Sequence, residues 1–385
     1  MRIRRFVVSN YRSLGETVSV DLDDITVLVG PNGSGKSNVV DVLQFTADCM
    51  RLGLAGAITM RQGINKVRRW SRGHPYNLSI RLELYDDQNE GSYEFTLAGA
   101  SVDEYLVRSE AAEISPRKAR TDPRRRHAFR IVDGVWEVGP DDLRPVTDRQ
   151  SLVLPLIAGD ARFARLADAL RRMAIYSIFP DILRRPQEYD STKPMDRHGA
   201  NWLSILKDQA KKSWAADLST ALGALTNDIE DIQIDQAAGY LVVEFLHHRE
   251  SPGEKRLKPK WFSAVQESDG TLRFAGIITA LRQQPPLALI GVEEPELTVH
   301  PGAIPLLVDH LKEASSSSQV VITTHSPELL DRMETSCIRV VERREGATSV
   351  ERLSEQQRDA VRAGLLTLGE VLRTEGLRQE GFSWT

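Results

Sequence analysis

At 385 residues the chain has room for two modest domains, or for one large domain carrying an insertion. Its 41% hydrophobic and 27% charged content fits a folded globular protein and excludes a mainly disordered one. A formal net charge of −4 supplies no global attraction to nucleic acid, and two cysteines, Cys49 and Cys337, exclude a disulfide framework or a zinc site.

In chain order, Ile3–Ser9 alternates as a strand, a turn follows at Ser13–Gly15, and Val18–Leu22 and Ile25–Val29 read as further strands. The last is almost wholly apolar, as expected of a strand covered on both faces. Past Gly30, Ser37–Met50 has helical spacing with Val39, Val40, Leu43 and Ala47 on one side. From Leu78 to about Arg108 alternation returns (Leu78, Ile80, Leu82, Leu84, then Tyr93, Phe95, Leu97), predicting antiparallel strands around Asp86–Gly91. Residues 115–130 are rich in Pro and Arg and read as an exposed loop, with strands expected at 131–138 and 152–157. Residues 160–230 are mostly helical by period, broken near Pro180, Pro186 and Pro194, and a Pro-, Gly- and Lys-rich loop occupies 251–260. The order then becomes helix 271–283, strand 287–292, helix 302–313, strand 319–323, short helix 326–332 and strand 337–341, the alternation of an α/β parallel sheet. The N-terminus has no apolar signal-peptide core, and no apolar run approaches the ~18 residues of a membrane span, so a cytoplasmic protein without membrane association is expected.

Four segments carry chemistry. Gly30-Pro-Asn-Gly-Ser-Gly-Lys-Ser37 matches G-x-x-x-x-G-K-[ST] between a strand and a helix. Its glycines let backbone N–H groups curl around a β-phosphate, Lys36 reaches the β- and γ-phosphates, and the Ser37 hydroxyl ligates Mg²⁺. The expected ATP-binding residues are Asn32, Gly33, Ser34, Gly35, Lys36, Ser37 and Asn38. Leu287–Glu296 is an apolar strand ending in adjacent carboxylates. Beside such a loop, Glu293 would hold the Mg²⁺ shell and Glu294 would orient or deprotonate the attacking water. Val320–Leu330 is another apolar strand, ending at His325, whose imidazole can link a γ-phosphate to the catalytic carboxylate. Glu267-Ser-Asp-Gly-Thr-Leu-Arg273 is a small turn before a helix, readable as an anion site or as an ordinary N-cap at Ser268 or Asp269.

Together these segments resemble the ABC-type ATPase superfamily, in the branch of RecF, the structural-maintenance-of-chromosomes (SMC) proteins and the OLD (overcoming lysogenization defect) ATPases. Phe6-Val-Val-Ser-Asn-Tyr-Arg-Ser-Leu14 looks like that branch's first strand, and Glu293-Glu-Pro-Glu-Leu-Thr-Val-His-Pro301 like its acidic motif plus D-loop. The resemblance covers about residues 1–45 and 260–345. It implies an α/β P-loop NTPase of ABC ATPase type with an antiparallel β lobe and a helical insertion. The boundaries are 1–110 for the first lobe, 111–260 for the basic loop and mainly helical insertion, 261–345 for the second lobe, and 346–385 for a helical tail. It also implies that Ser268 and Gly270 cap the γ-phosphate held by a second copy, giving an ATP-sandwiched homodimer. Departures are Ser-Asp-Gly-Thr in place of Ser-Gly-Gly-Gln, Glu293 in place of the commoner aspartate, and an unplaced Q-loop glutamine, for which Gln150 is a candidate while Gln44 lies on the P-loop helix.

Arg117, Lys118, Arg120, Arg124, Arg125 and Arg126, with His127 and Arg130, form the main candidate for sequence-independent DNA contact; a solvated loop is the rival reading. A weaker cluster is Arg61, Lys66, Arg68, Arg69 and Arg72, with Trp70 among them. Too little chain follows Val341 for the Toprim nuclease domain of OLD nucleases, so a nuclease or other effector is expected on a separate polypeptide. The leading expectation is an ATP-hydrolysing switch acting on DNA in genome maintenance or phage defence. The rivals are a non-hydrolysing regulatory scaffold and, further off, a transporter ATPase subunit.

Overall fold

The computed structural model describes residues 1–72, 74–99, 101–117, 126–146, 148–209, 214–248 and 260–381. The elements run β1 (Arg2–Ser9), β2 (Val18–Asp21), β3 (Ile25–Val29), α1 (Lys36–Thr59), α2 (Ile64–Val67), β4 (Leu78–Tyr85), β5 (Asn89–Ala98), β6 (Leu106–Pro116), β7 (His127–Val132), β8 (Val135–Val138) and α3 (Ala164–Arg171). Next come β9 (Met173–Tyr176), α4 (Pro180–Leu183), α5 (Trp202–Gln209), α6 (Trp214–Thr226), β10 (Ile229–Ala237), β11 (Tyr240–His247), β12 (Lys260–Ser263), α7 (Asp269–Arg282), β13 (Leu289–Glu293), α8 (Ile304–Ser315), β14 (Gln319–Thr324) and α9 (Pro327–Leu330). The chain closes with β15 (Ile338–Arg344), β16 (Ala347–Arg352), α10 (Glu355–Arg362) and α11 (Leu368–Thr374). Two compact units emerge. The first comprises Met1–Met173, Glu334–Leu366 and Thr374–Thr385; the second comprises Ala174–Met333 and Thr367–Arg373.

In the first unit a sheet in the order β2-β1-β4-β5-β6-β7-β8 is antiparallel throughout. Alternation explains its register: Leu78, Ile80, Leu82 and Leu84 all face inward on β4 while the residues between them face outward. On α1, Phe45 lies 5.7 Å from the ring of Tyr11 and 6.4 Å from that of Phe95, so helix and sheet share one aromatic core. Beside this core, β3 pairs in parallel with β15, and β15 pairs antiparallel with β16. The helix outlasts its sequence pattern, continuing to Thr59 through a break at Gly53 (φ 75°).

In the second unit β13 and β14 pair in parallel, with Glu293 level with Thr323. Gly291 on β13 has no room for a side chain, because a Cβ there would lie 2.2 Å from Ile175 of β9. Helix α7 is buried from Thr271 to Leu281. Each apolar side chain it hides contributes about 1.5–3 kcal/mol, and Trp202 of α5 is pinned to it by Nε1–H donating to Thr279 Oγ1 at 2.9 Å. A separate antiparallel sheet follows the order β10-β11-β12.

Several element expectations are corrected. Residues 152–157 form turns rather than a strand, and 131–138 form the β7–β8 hairpin around Asp133 (φ 49°) and Gly134 (φ 82°). The helical period of 160–230 conceals strand β9, whose four residues are all buried and so show no alternation. The expected helical tail opens with a strand, β16, before its helices α10 and α11. No helix among the described residues is long and apolar enough to cross a membrane.

Candidate functional site

The first unit carries the phosphate-loop residues. Buried β3 delivers the chain to Gly30, where a Cβ would fall 2.1 Å from the Val341 carbonyl oxygen. Gly35 has φ 108° and would clash with Thr348 Oγ1 at 2.3 Å, so both conformation and space exclude a side chain. Gly33 also has positive φ (77°). Lys36 is buried, and its Nζ donates to Gly30 O at 2.7 Å, so the ammonium lies folded within the loop. Asn32, Gly33 and Ser37 face solvent. The N-terminus of α1 has neither a side-chain cap nor an acidic residue in its first turn, which leaves its dipole uncompensated. Ser34 Oγ is buried without a hydrogen-bond partner.

A chain of hydroxyls fixes this loop. Thr348 Oγ1 donates to Ser34 O at 2.8 Å and lies 2.7 Å from Ser13 Oγ, which in turn accepts from Asn38 Nδ2 at 2.7 Å. Sequence reading missed both hydroxyls. Nothing in residues 6–14 marks the Ser13 hydroxyl for this role, and nothing local marks Thr348, which joins the loop through the pairing of β15 with β3 and β16. The neighbouring bend Asn10–Leu14 is strained, with φ 57° at Asn10 and 49° at Arg12. It is anchored by Tyr11 O–H donating to the Asp41 carboxylate and by Arg12 and Arg61, each 3.0 Å from that same carboxylate. Burial alone would raise the Asp41 pKa, but the two guanidiniums hold it below the usual carboxylate range.

The second unit carries the acidic and imidazole residues. At the end of β13, Glu293 is buried and accepts from Arg197 at 2.5 Å. Glu294 adopts left-handed φ (45°), and its N–H bonds Thr323 O at 2.9 Å. Its Oε2 lies 2.6 Å from Nδ1 of His325, just past the end of β14. The backbone of this corner is held by buried Arg273, which donates to Ile178 O at 2.6 Å and to Glu294 O at 2.9 Å. Glu296, left without a role in the sequence reading, accepts from Thr324 Oγ1 at 2.5 Å and shares a cluster with Glu294 and His325 whose ligand-type atoms all lie within 4.8 Å. Its pKa is raised to about 7, chiefly by burial and further by the Glu294 charge.

Ser268 is the N-cap of α7, its Oγ accepting from Thr271 N at 3.1 Å. Gly270 has no space for a side chain, since a Cβ would meet Thr298 O at 2.6 Å. Just before the cap, Glu267 is bound by His247 Nε2 at 2.7 Å while Nδ1 of the same ring meets Asp228 at 2.9 Å. Gln150 lies exposed in a turn, and Gln44 Nε2 donates to Asp48 at 2.7 Å.

Of the DNA candidates, Lys118, Arg120, Arg124 and Arg125 lie outside the described residues. Arg117 is exposed and donates to Asp86 O at 3.2 Å, and Arg126 pairs with Glu113 at 2.6 Å. In the weaker cluster, Arg61 and Arg68 are internal: Arg61 binds Asp41 and Asp48, and Arg68 donates to Glu104 O at 3.1 Å.

The α/β sheets, the P-loop and the acidic strand end define an ABC-type ATPase of the RecF/SMC-like branch. Residues 25–331 match the family described as "AAA domain, putative AbiEii toxin, Type IV TA system", and the chain belongs to it. Among curated proteins it is similar to the chromosome partition protein Smc of Synechocystis sp., 36% identical over 94 residues, or 23% of this chain and 7% of that protein. Smc of Bacillus subtilis is 39% identical over 64 residues, 16% of this chain and 5% of that one. The chain thus spans a small fraction of the length of the curated relatives it matches. Among solved structures, an Smc head bound to the C-winged helix domain of ScpA gives a TM-score of 0.54 at 15% identity, covering 93% of this chain and 99% of that one. An Smc head with an extended coiled coil, bound to the C-terminal domain of ScpA derived from Pyrococcus furiosus, gives 0.51 at 13% identity, covering 94% and 99%. These likenesses establish the fold.

Proposed function

We propose that the chain binds ATP through Asn32–Asn38 and hydrolyses it, with Glu294 as general base and His325 as its orienting partner. The observation that carries hydrolysis is the 2.6 Å contact between Glu294 Oε2 and His325 Nδ1 at the ends of two paired parallel strands. A catalytic carboxylate needs such an orienting group, because activation of water depends on where its lone pair points. Water attacks the γ-phosphorus, its proton passes to Glu294, and the bond to the β–γ bridging oxygen breaks to release ADP and phosphate.

The loop fits a triphosphate: two glycines without room for a Cβ, a buried hydroxyl on Ser34 awaiting a partner, and an uncapped helix N-terminus all favour an anion. Lys36 would exchange its bond to Gly30 O for phosphate oxygens. An Mg²⁺ ion, held through Ser37 and Glu293, would neutralise charge on the phosphates. Ser268 and Gly270 would meet the nucleotide of a second copy, linking ATP to homodimerisation. The reading extends to a switch that acts on DNA with a separate effector, in genome maintenance or phage defence. The family and the Smc likenesses support that setting.

ATP turnover by the native chain, Lys36→Ala and Glu294→Gln tests the core of this reading. Both variants should lose at least about 100-fold in kcat, and Glu294→Gln should keep its affinity for a fluorescent ATP analogue. Equal turnover by the native chain and Lys36→Ala would sink it.

A further inference from the structure

Trp70 stands on the first unit's surface with nothing packed over it. It is 79% exposed on the irregular segment between α2 and β4, and Tyr76 on the same segment is 41% exposed. On the same stretch of chain, Lys66, Arg72 and His74 are exposed and Arg69 is half-buried. Several surface arginines elsewhere in this unit are matched by carboxylates, Arg81 with Glu94 at 2.8 Å, Arg130 with Glu137 at 2.9 Å, Arg149 with Asp133 at 2.7 Å and Arg162 with Asp142 at 2.9 Å, whereas exposed Arg4, Arg108, Arg171, Arg343 and Arg362 stand singly without one among the described residues. Among the described residues Lys66, Arg69 and Arg72 have no such partner. Two exposed aromatic rings and three cations without a carboxylate partner therefore fall within one short stretch of chain, residues 66–76, in a protein whose net charge is negative.

This stretch is also tied to the phosphate loop. Arg69 N donates to Asn10 O at 2.8 Å, and Arg12 N to Val67 O at 2.8 Å, so the Trp70 segment and the Asn10–Leu14 bend hold each other. Ser13 of that bend belongs to the hydroxyl chain that reaches Ser34 through Thr348.

We propose that Trp70 and Tyr76, with Lys66, Arg69 and Arg72, form a contact surface for single-stranded nucleic acid. Unpaired bases present π-faces to stack on the two rings, while the cations neutralise the phosphates between them. A duplex hides its base faces, and an acidic peptide has none to offer an exposed tryptophan. The surface deepens the DNA part of the function proposed above and stands independently of hydrolysis, because binding is measured without nucleotide.

The test uses the full chain and a labelled oligothymidylate, with a duplex of equal length for comparison, at several salt concentrations. The native chain should prefer the single strand, Trp70→Ala should weaken that binding roughly ten-fold, and Arg69→Gln/Arg72→Gln should flatten the salt dependence by about one to two phosphate contacts. Trp70 is exposed, so Trp70→Ala should melt as the native chain does. An unchanged single-strand affinity in Trp70→Ala overturns the proposal. So does a selective loss of labelled-ATP affinity, which would give the ring to adenine, or equal, Trp70-dependent binding to anionic phospholipid vesicles. ATP turnover is followed separately, so an inactive ATPase would leave this result standing.

Discussion

Replacing Arg197 with alanine should make the protein bind Mg²⁺ more tightly. The Arg197 guanidinium lies 2.5 Å from Glu293 Oε2, with side-chain exposures of 32% and 9%. A charge-assisted bond of this kind contributes about 1.5–3 kcal/mol. Because the arginine is a third exposed, solvent screening reduces the figure to about 1–2 kcal/mol. If Glu293 belongs to the Mg²⁺ shell, a divalent cation must compete with this guanidinium for the same carboxylate. Removing it should then lower the Mg²⁺ midpoint by about 5–30-fold, at about 1.4 kcal/mol per factor of ten. Without the metal, the variant leaves a buried carboxylate unpaired and should melt earlier than the native chain; added Mg²⁺ should recover more stability in the variant. Thermal melting across an Mg²⁺ series, with a non-hydrolysable ATP analogue present throughout, reads both effects. Identical midpoints in the native chain and Arg197→Ala would refute the competition and leave Arg197 as a structural partner.

Thr348→Val keeps the shape of the side chain but removes the donor to Ser34 O and the contact to Ser13 Oγ; it should weaken binding of a fluorescent ATP analogue by about 1–2 kcal/mol, measured by titration, while overall helix content stays unchanged. Buried Glu110 has its pKa raised to about 7, chiefly by burial, despite N–H bonds from Val153 and Leu154 and the Tyr93 hydroxyl. The folded state therefore holds this proton where the unfolded chain has released it. The Glu110 contribution to stability should fall by about 3 kcal/mol as pH rises from about 4.5 to about 7; urea midpoints at pH 5 and pH 8 should diverge in the native chain and diverge less in Glu110→Gln, where Glu296, also raised to about 7, still titrates.

Much of the fold is legible because its signals are local. The two-residue period of β4 and β5 and the apolar runs of β3, β13 and β14 each follow from which faces are covered. The expectations that fail lack such a signal. Strand β9 is buried at every position, and a short apolar run has no period to separate strand from helix. Strand β16 sits in a stretch of charged residues and is fixed by its antiparallel register with β15, a tertiary fact that no window of sequence contains.

The site divides along the same line. The candidate residues Gly30, Lys36, Glu293, Glu294 and His325 are legible because the phosphate chemistry proposed for them would dictate their types and spacing. The residues that hold them do not. Arg273 is internal and binds main-chain carbonyls, so its charge is spent on Ile178 and Glu294 rather than on a ligand. In the sequence it resembles any arginine of an amphipathic helix. Glu296 was in plain view within Glu293-Glu-Pro-Glu296, yet only the left-handed turn at Glu294 and the threonine at the end of β14 bring its carboxyl beside His325. A motif supplies the groups that touch substrate. Their aim comes from hydroxyls and guanidiniums whose partners are set by strand register, which is why substitutions at Thr348 or Arg197 separate positioning from chemistry more cleanly than substitutions in the motifs.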